Sequence, residues 1–179
     1  MIYVSEIQTT EPKIFKSDLQ KKVYSTLSDL GIPFERVDTD EVITMDDCVA
    51  INEKLNMEMV KTLFLCNKQH TDFYLLITLG DKPFRSKDFS KALNVARMSF
   101  APSELMETML GTKIGAATIL SALLPTANCV KIVIDKEVAD KEYYGCSDGT
   151  TTGYLKVKTS DIIHKFLAFI KRDYSIVTI

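Results

Sequence analysis

Two apolar runs separated by a short polar stretch constrain the fold of this chain more than any other feature of its sequence. Residues 59–66 are dense in Leu, Val and Phe, residues 67–71 are polar, and residues 72–79 are again dominated by apolar side chains. Runs of this length joined by a short loop are typical of a β-hairpin. We therefore predict two antiparallel strands over residues 59–79.

Helix signals lie on both sides of the predicted hairpin. Ser17 precedes an amphipathic run that stops at Gly31, the pattern of a helix with an N-cap and a glycine stop. The other predicted elements are helices at 44–55, 87–93, 103–110 and 161–172, and strands at 32–37, 97–100, 130–134, 154–157 and 174–179. Because helices and strands alternate irregularly and some strands form hairpins, the pattern predicts the α/β class, with a mixed sheet and helices packed around it.

The size and charge of the chain exclude several classes of protein. Its 179 residues suit one domain, and 46% hydrophobic with 26% charged residues is typical of a globular protein rather than a disordered or fibrous one. Its 22 basic and 24 acidic residues leave a net charge of -2, which argues against a broad basic face that wraps nucleic acid but allows a local basic rim. No apolar run approaches the ~18 residues of a membrane span, and the first residues lack a signal-peptide pattern. We therefore expect a cytoplasmic protein with no membrane partner.

The chain offers few residues for metal, redox or nucleophilic chemistry. Its four cysteines contain no C-x-x-C pair, so we expect free, mostly buried thiols and no metal site. The only two histidines are His70 in the predicted hairpin loop and His164 on the last predicted helix. Both are expected on the surface, which argues against a Ser–His or Cys–His dyad.

Lys61 stands out because a charged side chain interrupts an apolar strand. Strand alternation places it in one row with Met59, Leu63 and Leu65. A lysine in such a row either extends its ammonium to solvent or meets an anion. In the second case the ammonium supplies a positive charge inside a pocket, suited to a phosphate or a developing oxyanion.

Three further segments are candidates for a binding site, and each has a structural alternative. Residues 115–118 form a small-residue run near a predicted helix start, where main-chain N–H groups can hold an anion or a carbonyl, or where helices pack closely. Residues 145–153 contain three glycines and four hydroxyl side chains, which indicates either a ligand loop or a hairpin tip. Residues 81–97 carry five basic and two acidic side chains, a pattern of either a phosphate-binding rim or a solvated helix face.

The order of the motifs along the chain carries a family resemblance. The segments are TMDDC (44–48), KTLFLCN (61–67), TDFYLL (71–76), DKPF (81–84), RMSFA (97–101), LGTKIG (110–115), residues 130–135 and residues 145–155. Together they resemble the YbaK/prolyl-tRNA-synthetase-associated domain family of trans-editing aminoacyl-tRNA deacylases over roughly residues 15–170. The resemblance implies a single domain over residues 1–179 that has this family's α/β fold, a mixed, largely antiparallel sheet surrounded by helices.

The resemblance also implies roles for particular residues. Lys61 falls on the family's essential lysine and is the implied catalytic residue. Further positions fall on the family's G-x-x-x-P loop, on a segment that lines the same pocket, and on two later substrate-binding positions. These implied substrate-binding residues are Gly115, Ala116, Ala117, Thr118, Ile119, Arg97, Ser99, Ala101, Ser147 and Thr151.

In enzymes of this family the scissile bond is the ester between an amino acid and the terminal ribose of tRNA. Water is the attacking group, and the neighbouring ribose hydroxyl is thought to assist it. The implied partner is the 3′ CCA end of an aminoacyl-tRNA, with prolyl-tRNA synthetase as a candidate second partner. Neither a metal nor an organic cofactor is implied.

The sequence departs from the family pattern at several positions. Ile119 stands where many relatives have the loop proline, and Ile114 where proline often precedes the glycine. Ser147-Asp148 replaces a His-Pro pair, Thr151 an asparagine, and Thr39 a common histidine. Three functions therefore stay open: a deacylase of alanine on proline tRNA, a deacylase of another small or sulfur-containing aminoacyl group, and a catalytically silent module that binds aminoacyl-tRNA or an amino acid.

Overall fold

Eight strands form two sheets in the computed structural model, which describes residues 1–179. The strands are β1 (Glu35–Asp38), β2 (Val60–Cys66), β3 (Phe73–Leu79), β4 (Ser99–Phe100), β5 (Val130–Asp135), β6 (Tyr143–Ser147), β7 (Gly153–Lys158) and β8 (Tyr174–Val177). The α-helices are α1 (Asp18–Asp29), α2 (Val49–Leu55), α3 (Ser86–Leu93), α4 (Ser103–Leu105), α5 (Lys136–Ala139), α6 (Thr159–Asp161) and α7 (Leu167–Phe169). A π-helical turn, Met106–Leu110, extends α4, and another, Ile162–Phe166, joins α6 to α7.

The predicted hairpin is the centre of the larger sheet, whose strand order is β4-β2-β3-β5-β8. Strands β2 and β3 are antiparallel, and Lys61 lies opposite Thr78. Strands β5 and β8 add to this sheet in parallel, whereas the smaller sheet, of order β1-β7-β6, is wholly antiparallel. The predicted α/β fold with a mixed, largely antiparallel arrangement is confirmed, but the strands divide into two sheets rather than one.

The main core lies between the two sheets. Leu75 and Ile132 of the larger sheet share it with Cys146 and Leu155 of the smaller sheet, and α1 and the last helix close it. The apolar face predicted for α1 is confirmed, and the Ser17 hydroxyl accepts the main-chain N–H of Gln20 at the start of that helix.

Two helices cover the outer faces of the sheets. Helix α2 packs on the smaller sheet, and α3 packs on the larger one through Phe89, which is fully buried against Leu65 and Val133. Burial of one such phenylalanine contributes roughly 1.5–3 kcal/mol. The face of the larger sheet that carries Lys61 is therefore held against α3 and the turn that precedes it.

The segment from Gly145 to Ser147 differs most from the sequence prediction. We expected a loop there, but these residues are part of β6, and the loop is confined to 148–152. The side chain of Met57 lies over Gly145, where an added Cβ atom would overlap the Met57 sulfur. A contact with a residue this distant in sequence has no local signal, so the glycine and hydroxyl content of the segment suggested a loop.

The remaining structural predictions concern surface and burial. Cys48, Cys66 and Cys146 are free and buried and only Cys129 is exposed, which confirms the free, mostly buried thiols. Both histidines are exposed, as expected. None of the helices has the length and apolar character needed to cross a bilayer.

Candidate active site

A cavity of about 300 Å³ opens at the outer edge of β2. That edge pairs with β4 at Leu65 and Cys66, and its other end is bridged at Met59 to Gly145 of β6. The edge between these two points has no neighbouring strand, and the cavity fills the gap. Its lining comes from residues 42–45, Cys48, residues 59–64, Phe100, Ala101, Met106, Ile114, Gly115, Ala117, Ser147 and Tyr154.

Lys61 is the charged side chain of this lining. Its ammonium donates a hydrogen bond to the main-chain carbonyl of Lys82, in the turn between β3 and α3. No carboxylate lies within 4.0 Å of it. Burial lowers the pKa of Lys61, and the charge of Asp81 offsets part of that shift. Lys61 thus lines the cavity, and the charge of its ammonium is not neutralised by a direct ion pair.

The small-residue segment, residues 115–118, forms a tight turn at the cavity. Gly115 has a φ of +90°, and a Cβ atom there would lie 3.0 Å from both the Val42 carbonyl oxygen and the Ile43 Cα. The close approach brings the turn against the chain at residues 42–43. The main-chain N–H groups of Gly115 and Ala117 donate to no main-chain acceptor, and both residues line the cavity.

The other titratable side chains of the lining are poor bases. Burial raises the pKa of the Cys48 thiol to about 11, with a smaller contribution from the charge of Asp47. Burial also raises the pKa of Tyr154, whose hydroxyl donates to the Thr151 carbonyl at 3.2 Å. Both groups are protonated near neutral pH, so neither a thiolate nucleophile nor a phenolate base faces the cavity.

The Ser147 hydroxyl is used inside its own loop. It donates to the Thr150 carbonyl at 2.8 Å and accepts the Gly149 N–H at 2.9 Å. The next residue, Asp148, is fully buried and accepts hydrogen bonds from Tyr24 and Gln20 of α1, at 2.8 and 2.9 Å. This loop is therefore a rigid turn anchored to α1.

The structure brings five of the eleven predicted site residues together. Lys61, Gly115, Ala117, Ala101 and Ser147 all line the cavity. The other predicted positions lie outside the lining: Ala116, Thr118, Ile119, Arg97, Ser99 and Thr151.

Different physical reasons keep these positions out. Ala116, Thr118 and Ile119 are buried beneath the turn, where Thr118 caps a short 3₁₀ helix and Ile119 joins the main core. Arg97 and Ser99 are exposed. Thr151 acts through its main chain, because its carbonyl accepts the N–H of Val42, a lining residue, at 2.8 Å. These six residues do not contact the cavity directly, and their roles stay predictions.

Several lining residues were not predicted as site residues. Thr62 of β2 lines the cavity. Ile43, Phe100 and Ile114 are apolar, 57%, 61% and 61% exposed, and also line the cavity. Exposed apolar side chains around a cavity are a recognisable signal of a binding site, but only once the fold has brought them together.

The sequence of this chain matches a known protein family. The model of the aminoacyl-tRNA editing domain matches residues 39–165. The match covers most of the chain and includes the cavity lining from β2, the 113–118 turn and β7. The chain belongs to the aminoacyl-tRNA editing domain family, as the resemblance predicted.

Individual relatives agree with this membership. The prolyl-tRNA synthetase associated domain-containing protein 1 of Mus musculus is 30% identical over 121 residues, which cover 66% of this chain and 71% of that protein. The prolyl-tRNA editing protein ProX of Acetoanaerobium sticklandii is 24% identical over 128 residues, 69% of this chain and 76% of that protein.

Solved structures share the fold at low sequence identity. The crystal structure of hypothetical protein APE2540 has a TM-score of 0.68 at 16% identity, and covers 87% of this chain and 98% of its own. A crystal structure described as a candidate trans-editing enzyme for prolyl tRNA synthetase has a TM-score of 0.64 at 14% identity, over 92% of this chain and 99% of its own.

Proposed function

We propose that this protein is a trans-editing deacylase that hydrolyses the ester of mischarged aminoacyl-tRNA, with alanine on proline tRNA as its preferred substrate. One observation carries the proposal. Lys61, whose ammonium makes no ion pair, lines the same cavity as Gly115 and Ala117, whose main-chain N–H groups have no main-chain acceptor. Family membership supports aminoacyl-tRNA as the kind of substrate.

The chemistry follows from these groups. Water attacks the ester carbonyl carbon, the carbonyl oxygen becomes an oxyanion, and the carbon–oxygen bond to the ribose then breaks. Lys61 and the two N–H groups stabilise the negative charge as it develops, the effect that is usually largest in acyl transfer. The ribose oxygen leaves with a proton, and the attacking water loses one. Cys48 and Tyr154 stay protonated near neutral pH and do not accept that proton. As the family resemblance implies, the neighbouring ribose hydroxyl of the substrate relays it.

The size and polarity of the cavity suit a small aminoacyl group. Ligand pockets in proteins range from about 300 to 1,000 Å³, and this cavity is at the lower limit. Fourteen of its 19 lining residues are hydrophobic, which favours an apolar side chain such as that of alanine.

The tRNA is expected to approach along the α3 side of the cavity. Arg85, Lys87, Lys91 and Arg97 are exposed on α3 and its flanks. The ring of Phe84 lies 5.6 Å from the ring of Phe100, which connects this basic surface to the cavity. The proposed partner is thus the 3′ CCA end of tRNA, and prolyl-tRNA synthetase is the proposed second partner. We propose the cytoplasm as the location and one domain over residues 1–179.

A panel of labelled aminoacyl-tRNAs tests the proposal. The protein is incubated with proline tRNA charged with alanine, with proline and with cysteine, and with alanine tRNA charged with alanine, and ester hydrolysis is followed. We expect hydrolysis of the first substrate to exceed that of the correctly charged ones. Faster release of another small or sulfur-containing amino acid would replace the proposed substrate with that one. Absence of hydrolysis on every substrate would refute the deacylase.

One observation favours a catalytically silent binding module as the second candidate. Ser147 replaces a family histidine, and its hydroxyl is occupied by the Gly149 N–H and the Thr150 carbonyl. The cavity therefore gains no acid or base from that position. Binding of alanyl-tRNA without turnover in the same panel would support this candidate.

A further inference from the structure

A row of three polar side chains crosses the apolar outer face of the larger sheet. Lys61 of β2 lies opposite Thr78 of β3. Ile77 lies beside Ile134 in the parallel pairing of β3 with β5, so the next residue, Asp135, lies beside Thr78. The Thr78 hydroxyl donates to the Asp135 carboxylate at 2.7 Å. An ammonium, a hydroxyl and a carboxylate thus follow one another across three strands.

The Asp135 carboxylate is fully buried and has a cationic partner. Lys82 donates to the same carboxylate oxygen at 2.8 Å, and the main-chain N–H of Glu137 donates to the other oxygen at 3.1 Å. A buried carboxylate without a cation is strongly unfavourable, so the ammonium of Lys82 is needed there. Burial alone would lower the pKa of Lys82, but the hydrogen bond and charge of Asp135 outweigh it and raise that pKa.

Lys82 connects this ion pair to the cavity. Its side chain is fixed on Asp135, and its main-chain carbonyl accepts the hydrogen bond from the Lys61 ammonium. The turn that carries this carbonyl is therefore anchored at the same residue. Because Lys82 occupies Asp135, the Lys61 ammonium rests on a neutral carbonyl and makes no ion pair.

We propose that Lys82 and Asp135 are positioning residues for Lys61. Their ion pair fixes the turn whose carbonyl holds the Lys61 ammonium at the cavity, and it occupies the buried carboxylate that would otherwise attract that ammonium. The proposal rests on the proposed function of Lys61. Neither Lys82 nor Asp135 lines the cavity, so neither is a catalytic residue.

The pKa of Lys61 tests the arrangement without any enzymatic assay. The lysines are reductively methylated with ¹³C and titrated by NMR, and the Lys61 signal is assigned by its absence in Lys61→Arg. The charge of Asp81 acts on Lys61 directly, and Lys82, which bonds Lys61 through its carbonyl, is itself paired with Asp135 of β5 and Glu137 of α5. Lys82→Met removes a positive charge and frees a carboxylate, so we expect the pKa of Lys61 to rise by ~0.5 unit or more. Asp135→Asn leaves the positive charge of Lys82 without its buried carboxylate, so we expect the pKa of Lys61 to fall by a similar amount.

Shifts of the Lys61 pKa that have opposite signs in Lys82→Met and Asp135→Asn distinguish positioning from a general loosening of the structure. A disordered turn would expose Lys61 to solvent in both variants, and both would raise its depressed pKa. Lys136→Met and Asp140→Asn are the matched controls, because these two residues form an exposed ion pair on or beside the neighbouring helix α5. Circular dichroism and urea unfolding show whether each variant folds, and Lys82→Arg keeps the charge if Lys82→Met does not fold.

Deacylation gives the second measurement. We expect Lys82→Met to lower kcat about tenfold or more with KM changed less than threefold, since misplacement of a catalytic group affects mainly the chemical step. Lys82→Arg should restore kcat to within about threefold. Shifts of the Lys61 pKa that are absent, or of the same sign in both variants, would overturn the proposal. If the unmodified protein hydrolyses no substrate, the proposed function fails, and the pKa shifts still show whether the Lys82–Asp135 ion pair acts on Lys61.

Discussion

The substitution Gly115→Ala tests the geometry of the cavity, because Gly115 has both a left-handed backbone and no room for a side chain. Its φ is +90°, and an added Cβ would lie 3.0 Å from the Ile43 Cα and from the Val42 carbonyl oxygen. Gly31 is the matched control, since its φ is +62° and nothing lies within 4 Å of its added Cβ. Gly31→Ala therefore introduces only the backbone cost, about 1–2 kcal/mol. Gly115→Ala adds overpacking against rigid main chain, about 1–3 kcal/mol more.

Urea unfolding and deacylation of the two variants measure this difference. We expect Gly115→Ala to lose about 2–5 kcal/mol of unfolding free energy and most hydrolysis, because the turn must move away from residues 42–43. Gly31→Ala should keep its hydrolysis rate. Equal stability of the two variants, together with unchanged hydrolysis by Gly115→Ala, would refute the close approach that shapes the cavity.

Three further predictions concern single side chains. Cys48→Ala should retain hydrolysis within about threefold in a single-turnover assay, because a thiol with a pKa of about 11 is not the nucleophile; a loss of a hundredfold would show that it is. The rate of hydrolysis, corrected for the uncatalysed reaction, should decline as the pH rises through the depressed pKa of Lys61, since only the protonated ammonium stabilises an oxyanion. An active Lys61→Arg variant should show this decline at higher pH. An unchanged pH profile would contradict the role assigned to Lys61. Tyr24→Phe should cost roughly 1.5–3 kcal/mol in urea unfolding, because it removes a hydrogen bond to the buried Asp148 carboxylate. Tyr144→Phe should cost less, since the buried Tyr144 hydroxyl faces the neutral Thr62 hydroxyl rather than a carboxylate; similar losses for both would contradict the assigned bonds.

Local patterns predicted the elements that depend on neighbouring residues. The hairpin of β2 and β3 follows from two apolar runs and a polar loop, and α1 follows from its N-cap Ser17 and the stop at Gly31. The helices at 87–93 and 103–110 are confirmed with small changes at their ends, and the last helix begins earlier and ends earlier than predicted. These signals are carried by a few adjacent side chains and need no knowledge of the tertiary fold.

Pairing between distant segments could not be predicted in this way. Strand β1 pairs with β7 near the other end of the chain, and this pairing divides the strands into two sheets. Burial of Gly145 under Met57 converts a glycine- and hydroxyl-rich segment into a strand. Both outcomes are decided by tertiary contacts, which override local propensity.

The candidate site shows the same division. Lys61 is recognisable from the sequence because an ammonium interrupts an apolar row, and Gly115 because it opens a small-residue run. Thr62 and Phe100 were missed as site residues, since their importance depends on the unpaired edge of β2. Arg97 and Ser99 lie on the segment that reaches the cavity, but they are exposed and outside its lining. The family resemblance indicates which segments reach the site, but it does not show the direction in which each side chain points.

Single-turnover hydrolysis of alanyl-tRNA(Pro) by Lys61→Met tests most directly whether the Lys61 ammonium stabilises the reacting ester. Lys68→Met is the control, because Lys68 is an exposed lysine in the loop that follows the same strand. We predict that Lys61→Met lowers the hydrolysis rate about a hundredfold or more at saturating enzyme, while the circular dichroism spectrum stays unchanged. A rate within about threefold of that of Lys68→Met would contradict the central role of Lys61.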